Sequence, residues 1–289
     1  MAAPPSLLIW RAVWDNYSWG SFSEESFSSS FGVTIAACQI LHELVRSNRQ
    51  PLPRHHLLMA LFFLTAYPVD AVGASHFGVD ISTYRESVWG SLVAICECVS
   101  LIDPRKRFTH QAPGNVYVSV DTTYCAVWMN VSDWEYQRPF YSGYAGLHCL
   151  KYEIAVQVWT GELVWLVGPF FGSKHDLTIA RLSGFLNMLL PGEHAYADKL
   201  YEGDPRLLVP FKGRSWQLSH HQFVWNDFHR RVRVRCENAI GRIMRFGCLQ
   251  AAWRHRLSRH AIAFYCCAQL AQLDLMLRPL RADFDREFA

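Results

Sequence analysis

A change of sequence periodicity near residue 115 constrains the fold of this 289-residue chain most strongly. Upstream, residues 1–110 carry apolar side chains at helical spacing between proline breaks, which predicts a helical region. Downstream, segments rich in Val, Tyr, Trp and Ile predict strands at 116–121, 124–130, 149–159, 163–168 and 194–198. Thr160-Gly161 predicts a hairpin turn, and helices are predicted at 173–190, 219–246 and 257–277. We therefore expect an α/β domain with a mixed sheet over 111–289.

The helical region contains a candidate helix-turn-helix. Residues 69–77 and 82–98 predict two helices joined by a tight turn at Gly78, with Ser82 capping the second helix. The second helix of such a pair can enter a DNA major groove. Its first turn would present Ser82, Thr83, Arg85 and Glu86, a set with few base-reading side chains. A plain packing unit of a helical bundle explains the pair equally well.

Positive charge is concentrated in one part of the chain. The net charge is only +3. Residues 205–260 hold twelve Lys or Arg against two acidic residues, a net +10, which leaves −7 for the remainder. Such asymmetry favours a phosphate-rich partner, here DNA, because each neutralised phosphate releases counterions. A solvated basic helix is the alternative. The polar stretch 103–114 predicts a linker, in which Arg105-Lys-Arg107 would contact phosphate or solvent.

Composition excludes several other classes of protein. Half of the residues are hydrophobic and 18% are charged, so the chain should fold rather than stay disordered. The nine cysteines have neither zinc-like nor secreted-framework spacing, which predicts reduced thiols. The first residues do not resemble a signal peptide, and the longest apolar runs, 57–66 and 261–268, are too short to cross a bilayer. We expect an intracellular protein that acts in the nucleus and contacts no membrane.

Three acidic residues stand in otherwise apolar or basic surroundings. Asp121 ends a strand-like run, Asp198 follows the short run 194–197, and Glu237 lies within the arginine-rich segment 230–242. Acids at strand ends project where ligands collect in α/β folds, and carboxylate oxygens are the ligands that Mg²⁺ takes. Each acid also has a structural explanation: Asp121 as a turn residue, Asp198 as a turn cap, and Glu237 as the partner of an arginine one or two turns earlier.

Four short motifs occur in order and carry a family resemblance. They are Asp121-Thr-Thr, Gly172-Ser-Lys-His-Asp176, Ala197-Asp-Lys-Leu-Tyr201 followed by Pro210-Phe211, and Cys236-Glu-Asn-Ala-Ile-Gly-Arg242. Together, over residues 116 to about 275, they resemble the PIF/Harbinger branch of the DDE transposases and their domesticated nuclease relatives. The intervals of 77 residues from 121 to 198 and 39 from 198 to 237 suit that arrangement.

The resemblance implies an RNase H-like fold and a divalent-metal-dependent DNA endonuclease or transposase. It implies two Mg²⁺ or Mn²⁺ ions, with Asp121 bridging both, Asp198 holding one and Glu237 completing the other site. Two such ions can activate water or a 3′-hydroxyl and stabilise the leaving oxygen of a phosphodiester. The alternative is a domesticated copy that binds DNA or a partner without catalysis. A separate DNA-binding partner protein and a homo-oligomer are left open.

Further residues are assigned supporting roles. Asp176 opens a helix and is expected in an outer shell of the metal site or as a helix cap. The expected DNA contacts are Lys199, Lys212, Arg230, Arg231, Arg233 and Arg235. The aromatic residues Trp216, Phe223, Trp225 and Phe228 would stack on flipped bases or fill the core. The chain departs from the family pattern at 140–146, which lacks a basic pair, and at Phe170-Phe-Gly-Ser173 and Lys199-Leu200, where other residues are usual.

Overall fold

The computed structural model describes residues 23–48, 52–110, 113–129 and 133–280. The chain packs into two compact units, Met1–Leu101 with Ile243–Asp274, and Ile102–Arg242 with Leu275–Ala289. The segment 243–274 therefore packs with the N-terminal helices. The predicted boundary near residue 110, between a helical region and a nuclease domain, stays a prediction, because the packing of the chain does not show which part carries which function.

The first unit is built from helices whose apolar faces share one core. Their bounds are α1 Glu24–Phe31, α2 Ile35–Asn48, α3 Arg54–Ala66, α4 Asp70–Phe77 and α5 Ile81–Cys98, followed late in the chain by α10 Gly247–Gln250 and α11 His260–Leu277. Phe27, Phe63, Tyr84 and Phe264 are fully or almost fully buried. The burial of such large side chains is the main stabilising contribution to this unit.

The helix pair predicted at 69–98 is present as α4 and α5. Gly78 closes α4 in the left-handed conformation, with φ 66°, which a residue without Cβ adopts at little cost. The predicted cap was wrong: Asp80, not Ser82, caps α5 by accepting the Thr83 N–H at 3.0 Å, and the Ser82 hydroxyl donates to Asp80. A DNA-binding role for this pair stays a prediction.

In the described part of the chain, six strands of the second unit form one mixed sheet. They are β1 Val116–Ala126, β2 Tyr141–Ser142, β3 Leu147–Gln157, β4 Leu163–Phe171, β5 His194–Ala197 and β6 Leu207–Leu208. β3 lies antiparallel between β1 on one side and β2 and β4 on the other. β5 runs parallel to β1, and β6 runs parallel to β5. The helices of this unit are α6 Trp134–Gln137, α7 Asp176–Leu182, α8 Phe185–Met188 and most of α9, His220–Met244.

Several predicted elements have different bounds. The strands predicted at 116–121 and 124–130 form the single strand β1, because Thr122 and Thr123 are buried and pair with β3. The end of the second prediction, Asn130, lies outside the described residues. The helix predicted at 173–190 starts at Asp176 and breaks at Gly184, whose φ is 87°.

The stretch predicted as a linker at 103–114 is largely structured. Residues Pro104–Thr109 form a 3₁₀ helix capped by Asp103. The Arg107 side chain is buried, and its Nε donates to Glu193 Oε1 at 2.8 Å. Arg107 is therefore not a surface phosphate contact, because turning its side chain toward solvent would leave the buried carboxylate of Glu193 without its partner. Gln111 and Ala112 lie outside the described residues.

One helical stretch, Leu257–Leu277, is long and apolar enough to cross a membrane by length and composition. This stretch is longer than the apolar run 261–268, from which the sequence predicted that no segment crosses a bilayer. Within the described residues, 67% of its most apolar window is buried inside the protein, as in the core helices of many globular domains.

Candidate active site

The sheet brings two of the three predicted acids together. Val120 of β1 and Ala197 of β5 are register partners in a parallel pair. Asp121 is the next residue of β1, and Asp198 directly follows the last residue of β5; the two strand backbones run about 5 Å apart. Each carboxylate also fixes local backbone: Asp121 Oδ1 accepts the Thr122 N–H at 2.8 Å, and Asp198 Oδ1 accepts the Leu200 N–H at 2.5 Å.

The third acid reaches this edge on helix α9. The helix is anchored to the sheet by Val232, which packs in a core cluster with Val116 and Tyr196, and by Cys236, whose thiol donates to the Ser119 carbonyl at 3.7 Å. His229 is buried, and its Nε2 lies 2.9 Å from the Leu208 carbonyl. This packing turns the flank of α9 that carries Arg233 and Glu237 toward Asp121.

Arg233 contacts two of the three acids, Asp121 and Glu237. Its Nη2 lies 2.6 Å from Asp121 Oδ2 and 3.8 Å from Glu237 Oε1. Both distances start from the same nitrogen, so the two carboxylate oxygens are separated by at most 2.6 Å plus 3.8 Å, or 6.4 Å. The side chains of Asp121 and Arg233 are largely buried, whereas that of Glu237 is 57% exposed.

Burial makes Asp121 an unusual carboxylate. Desolvation, together with the negative charge of Asp198, raises its pKa to about 6, against the lowering effects of Arg233 and the Thr122 N–H. A buried acid beside a second acid is an arrangement that a cation stabilises. In the structure the guanidinium of Arg233 supplies that positive charge.

The donor chemistry of the three acids fits Mg²⁺ or Mn²⁺, because all three offer hard carboxylate oxygens. Within the described ranges, however, no three His, Cys, Asp or Glu side chains form a group that could hold a metal ion as arranged. The guanidinium of Arg233 contacts two of the acids, where a cation would otherwise balance their charge. A bound ion would therefore take over contacts that Arg233 now makes.

A pocket of about 400 Å³ opens beside the acids. Its lining residues are Asp198, Lys199, Pro210, Phe211, Lys212, Gly213 and Arg233. Three of them are cationic and one is anionic, so the wall carries net positive charge. A pocket of this size can hold a small ligand or part of a larger one.

Asp176 has a buried partner that the sequence did not suggest. Lys151 of β3 donates from Nζ to Asp176 Oδ1 at 3.0 Å and to the Lys174 carbonyl at 2.8 Å. Both side chains are almost fully buried, so each charge compensates the other. The pairing was not predicted because it joins a strand and a helix across 25 residues. The outer-shell role of Asp176 stays a prediction.

The predicted DNA contacts fall into two groups. Lys199, Lys212 and Arg230 are exposed and Arg231 is partly exposed, although Lys212 pairs with Glu202 and both arginines pair with Asp227. Arg233 is directed at Asp121, and Arg235 is only 6% exposed. A phosphate contact by either of the last two would require it to leave its present position.

The four aromatic candidates divide in the same way. Trp225 and Phe228 pack on Tyr196, with ring centroids 6.1 Å and 5.8 Å away. Trp216 and Phe223 are exposed. The core interpretation therefore holds for the first pair. The second pair is exposed, with the Arg214 guanidinium 5.1 Å from the centroid of the Trp216 ring.

Glu153 is a buried acid that the sequence analysis missed. It pairs with Thr122 across β1 and β3 and accepts hydrogen bonds from the Ser183 hydroxyl at 2.6 Å and from Trp165 Nε1 at 3.1 Å. Burial raises its pKa to about 7, although both hydrogen bonds lower it. A carboxylate within the apolar run 149–156 was the available signal.

Fold and site together define the class of protein. The sequence model of the DDE superfamily endonucleases matches residues 120–272, more than half of the chain. The chain therefore belongs to that family, and its six-stranded mixed sheet with flanking helices, as seen in the described residues, is consistent with an RNase H-like nuclease fold.

A comparison with individual proteins also finds a transposase. The chain is 28% identical over 149 residues to the "Probable transposase for insertion sequence element IS702" of Microchaete diplosiphon. The match covers 49% of this chain and 52% of that protein, so the chain spans about half the length of the curated relative it matches. No solved structure matches the chain significantly.

Proposed function

We propose that this protein is a divalent-metal-dependent DNA endonuclease or transposase of the PIF/Harbinger type, acting in the nucleus. Two pairwise observations support the proposal: one brings Asp198 near Asp121, and the other brings Glu237 near Asp121. Asp121 and Asp198 directly follow register partners on parallel strands, and oxygens of Asp121 and Glu237 are at most 6.4 Å apart, the sum of 2.6 Å and 3.8 Å measured from Arg233 Nη2.

The residues have distinct roles in this proposal. Asp121, Asp198 and Glu237 would hold two Mg²⁺ or Mn²⁺ ions, which activate the attacking water and stabilise the leaving oxygen of a phosphodiester. The β1 and β5 backbones fix Asp121 and Asp198, so these carboxylates are positioned before substrate arrives. Lys199 and Arg230 would bind neighbouring phosphates and hold the DNA backbone in line for attack.

Nicking of supercoiled plasmid tests the proposal. The wild-type protein should convert supercoiled to open-circular DNA with Mn²⁺ and not with EDTA. Asp121→Asn, Asp198→Asn and Glu237→Gln should each abolish nicking while salt-sensitive DNA retention persists. Asp204→Asn is the matched control, because Asp204 is an acid of the same unit that pairs with Arg206, which is not among the proposed DNA contacts. Undiminished nicking by the triple variant would refute the proposal.

A second candidate function is DNA or partner binding without catalysis. The ion pair between Arg233 and Asp121 favours it, because it balances the buried carboxylate with no metal. This candidate predicts DNA retention that weakens steeply with salt and no metal-dependent nicking by the wild-type protein.

A further inference from the structure

Phe211 is an exposed aromatic residue held on a fixed backbone. Its N–H donates to Asn226 Oδ1 at 2.8 Å, and Asn226 Nδ2 donates to its carbonyl at 3.0 Å. The side chain of Asn226 thus closes a reciprocal pair of hydrogen bonds from α9 to the loop. The Phe211 side chain is nevertheless 48% exposed. An aromatic side chain on a restrained backbone loses little conformational entropy when it binds a ligand.

The surroundings of Phe211 indicate what that ligand is. Phe211 lines the pocket together with Lys199 and Lys212, which can bind phosphate, and with Asp198 of the proposed metal site. Lys212 also pairs with Glu202, so one of the two lysines is partly neutralised. An aromatic face and cationic side chains in one pocket are the combination that proteins use for single-stranded nucleic acid.

We propose that this pocket binds an unpaired nucleotide of the DNA substrate, with the base stacked on Phe211 and its phosphates on Lys199 and Lys212. A base within a duplex has both faces covered by its neighbours, so only an unpaired or flipped base can offer a face to Phe211. Because Asp198 belongs to the same pocket, the unpaired nucleotide lies next to the phosphodiester to be cut. The inference rests on the proposed function and names its substrate more closely: DNA with a fork, gap or flipped base at the cleavage site.

Binding of two labelled DNA hairpins in EDTA tests this inference without cleavage. Both hairpins are closed by the same non-nucleotide linker; one is blunt, and the other has the same duplex and a five-nucleotide thymidine tail. Stacking of one base predicts that the wild-type protein binds the tailed hairpin roughly tenfold more tightly. Phe211→Ala should remove that preference, Phe211→Trp should keep it, and Asn226→Ala should reduce it by freeing the Phe211 backbone.

Phe171→Ala is the matched control. Phe171 is a phenylalanine of the same unit, 45% exposed, that does not line the pocket, so its loss should leave the preference intact. Circular dichroism of each variant checks folding. Equal binding of both hairpins by the wild-type protein, or a preference that survives Phe211→Ala in a folded variant, would overturn the inference.

The outcomes separate this inference from the proposed function. Metal-dependent nicking without a tail preference would leave the endonuclease in place and remove the stacking site. A tail preference lost with Phe211→Ala, in a protein that never nicks, would leave the stacking site in place and remove the endonuclease. Failure to bind either hairpin would remove both.

Discussion

The raised pKa of Asp121 predicts that Asp121→Asn gains stability relative to the wild-type protein as the pH rises to neutrality. Burial raises that pKa from 3.8 to about 6, so folding favours the protonated form of this carboxyl. At 1.36 kcal/mol per pKa unit, the ionised carboxylate costs the folded state about 3 kcal/mol at pH values above 6.

The sign of the pH dependence follows from that shift. With a folded-state pKa above the unfolded value, the wild-type protein loses stability through this group as pH rises from about 4 to about 6. Asparagine does not titrate. The variant-minus-wild-type difference in unfolding free energy should therefore rise by about 2 kcal/mol between pH 4 and pH 7. Losing the hydrogen bond between Arg233 and residue 121 would shift this difference in unfolding free energy by the same amount at every pH. Its dependence on pH would therefore stay the same.

Urea unfolding in EDTA at several pH values measures this difference. Asp227→Asn is the matched control: its hydrogen bond to Arg230 lowers the pKa of Asp227, so its titration is nearly complete by pH 5 and its difference should change little above that pH. A difference for Asp121→Asn that stays flat between pH 4 and pH 7 would refute the claim that Asp121 is a desolvated carboxylate.

The other predictions concern Arg233, the phosphate-binding surface and the buried ion pair. Arg233→Gln removes the cation beside Asp121, so Mn²⁺ should bind at lower concentration by isothermal titration calorimetry; unchanged or weaker binding would contradict the view that Arg233 competes with metal. Arg230→Gln should lower the slope of log Kd against log salt by roughly 0.9 if Arg230 neutralises one phosphate, and an unchanged slope would exclude that contact. Arg107→Leu leaves the buried carboxylate of Glu193 without its partner and should lower the unfolding free energy by about 3–5 kcal/mol. Arg105→Leu breaks an exposed ion pair and should have little effect on stability. Similar losses of unfolding free energy in both variants would show that burial does not decide the effect of breaking an ion pair.

Local patterns predicted the elements of the fold better than their ends. Enrichment in Val, Tyr, Trp and Ile predicted β3 and β4, because β-branched and aromatic side chains favour strands, and Thr160-Gly161 predicted the hairpin between them. The break at Gly184 was missed, because a single glycine within a helical pattern signals a break only weakly. The predicted strands ended at Asp121 and resumed at Tyr124, yet Thr122 and Thr123 continue β1 because β3 pairs alongside them.

The sequence indicated candidate acids, whose role stays a prediction, but not where the nearby cations lie. Short motifs identified Asp121, Asp198 and Glu237, and the register of β1 with β5 explains why the first two meet. We predicted DNA contacts for all four arginines in 230–235, but helical geometry separates them: Arg230 is exposed, Arg233 contacts Asp121 and Arg235 is buried. Partners from distant segments, such as Lys151 for Asp176, exist only after the chain has folded.

Electron paramagnetic resonance of Mn²⁺ tests the central claim most directly, because the signal of free Mn²⁺ falls as the ion binds protein. Titrated into the wild-type protein at pH 7.5, Mn²⁺ should bind, and binding should be lost when Asp121, Asp198 and Glu237 are replaced together by Asn, Asn and Gln. Asp227→Asn should bind as the wild-type protein does. Equal Mn²⁺ binding by the wild-type protein and the triple variant would contradict the account, since the three carboxylates would then hold no ion.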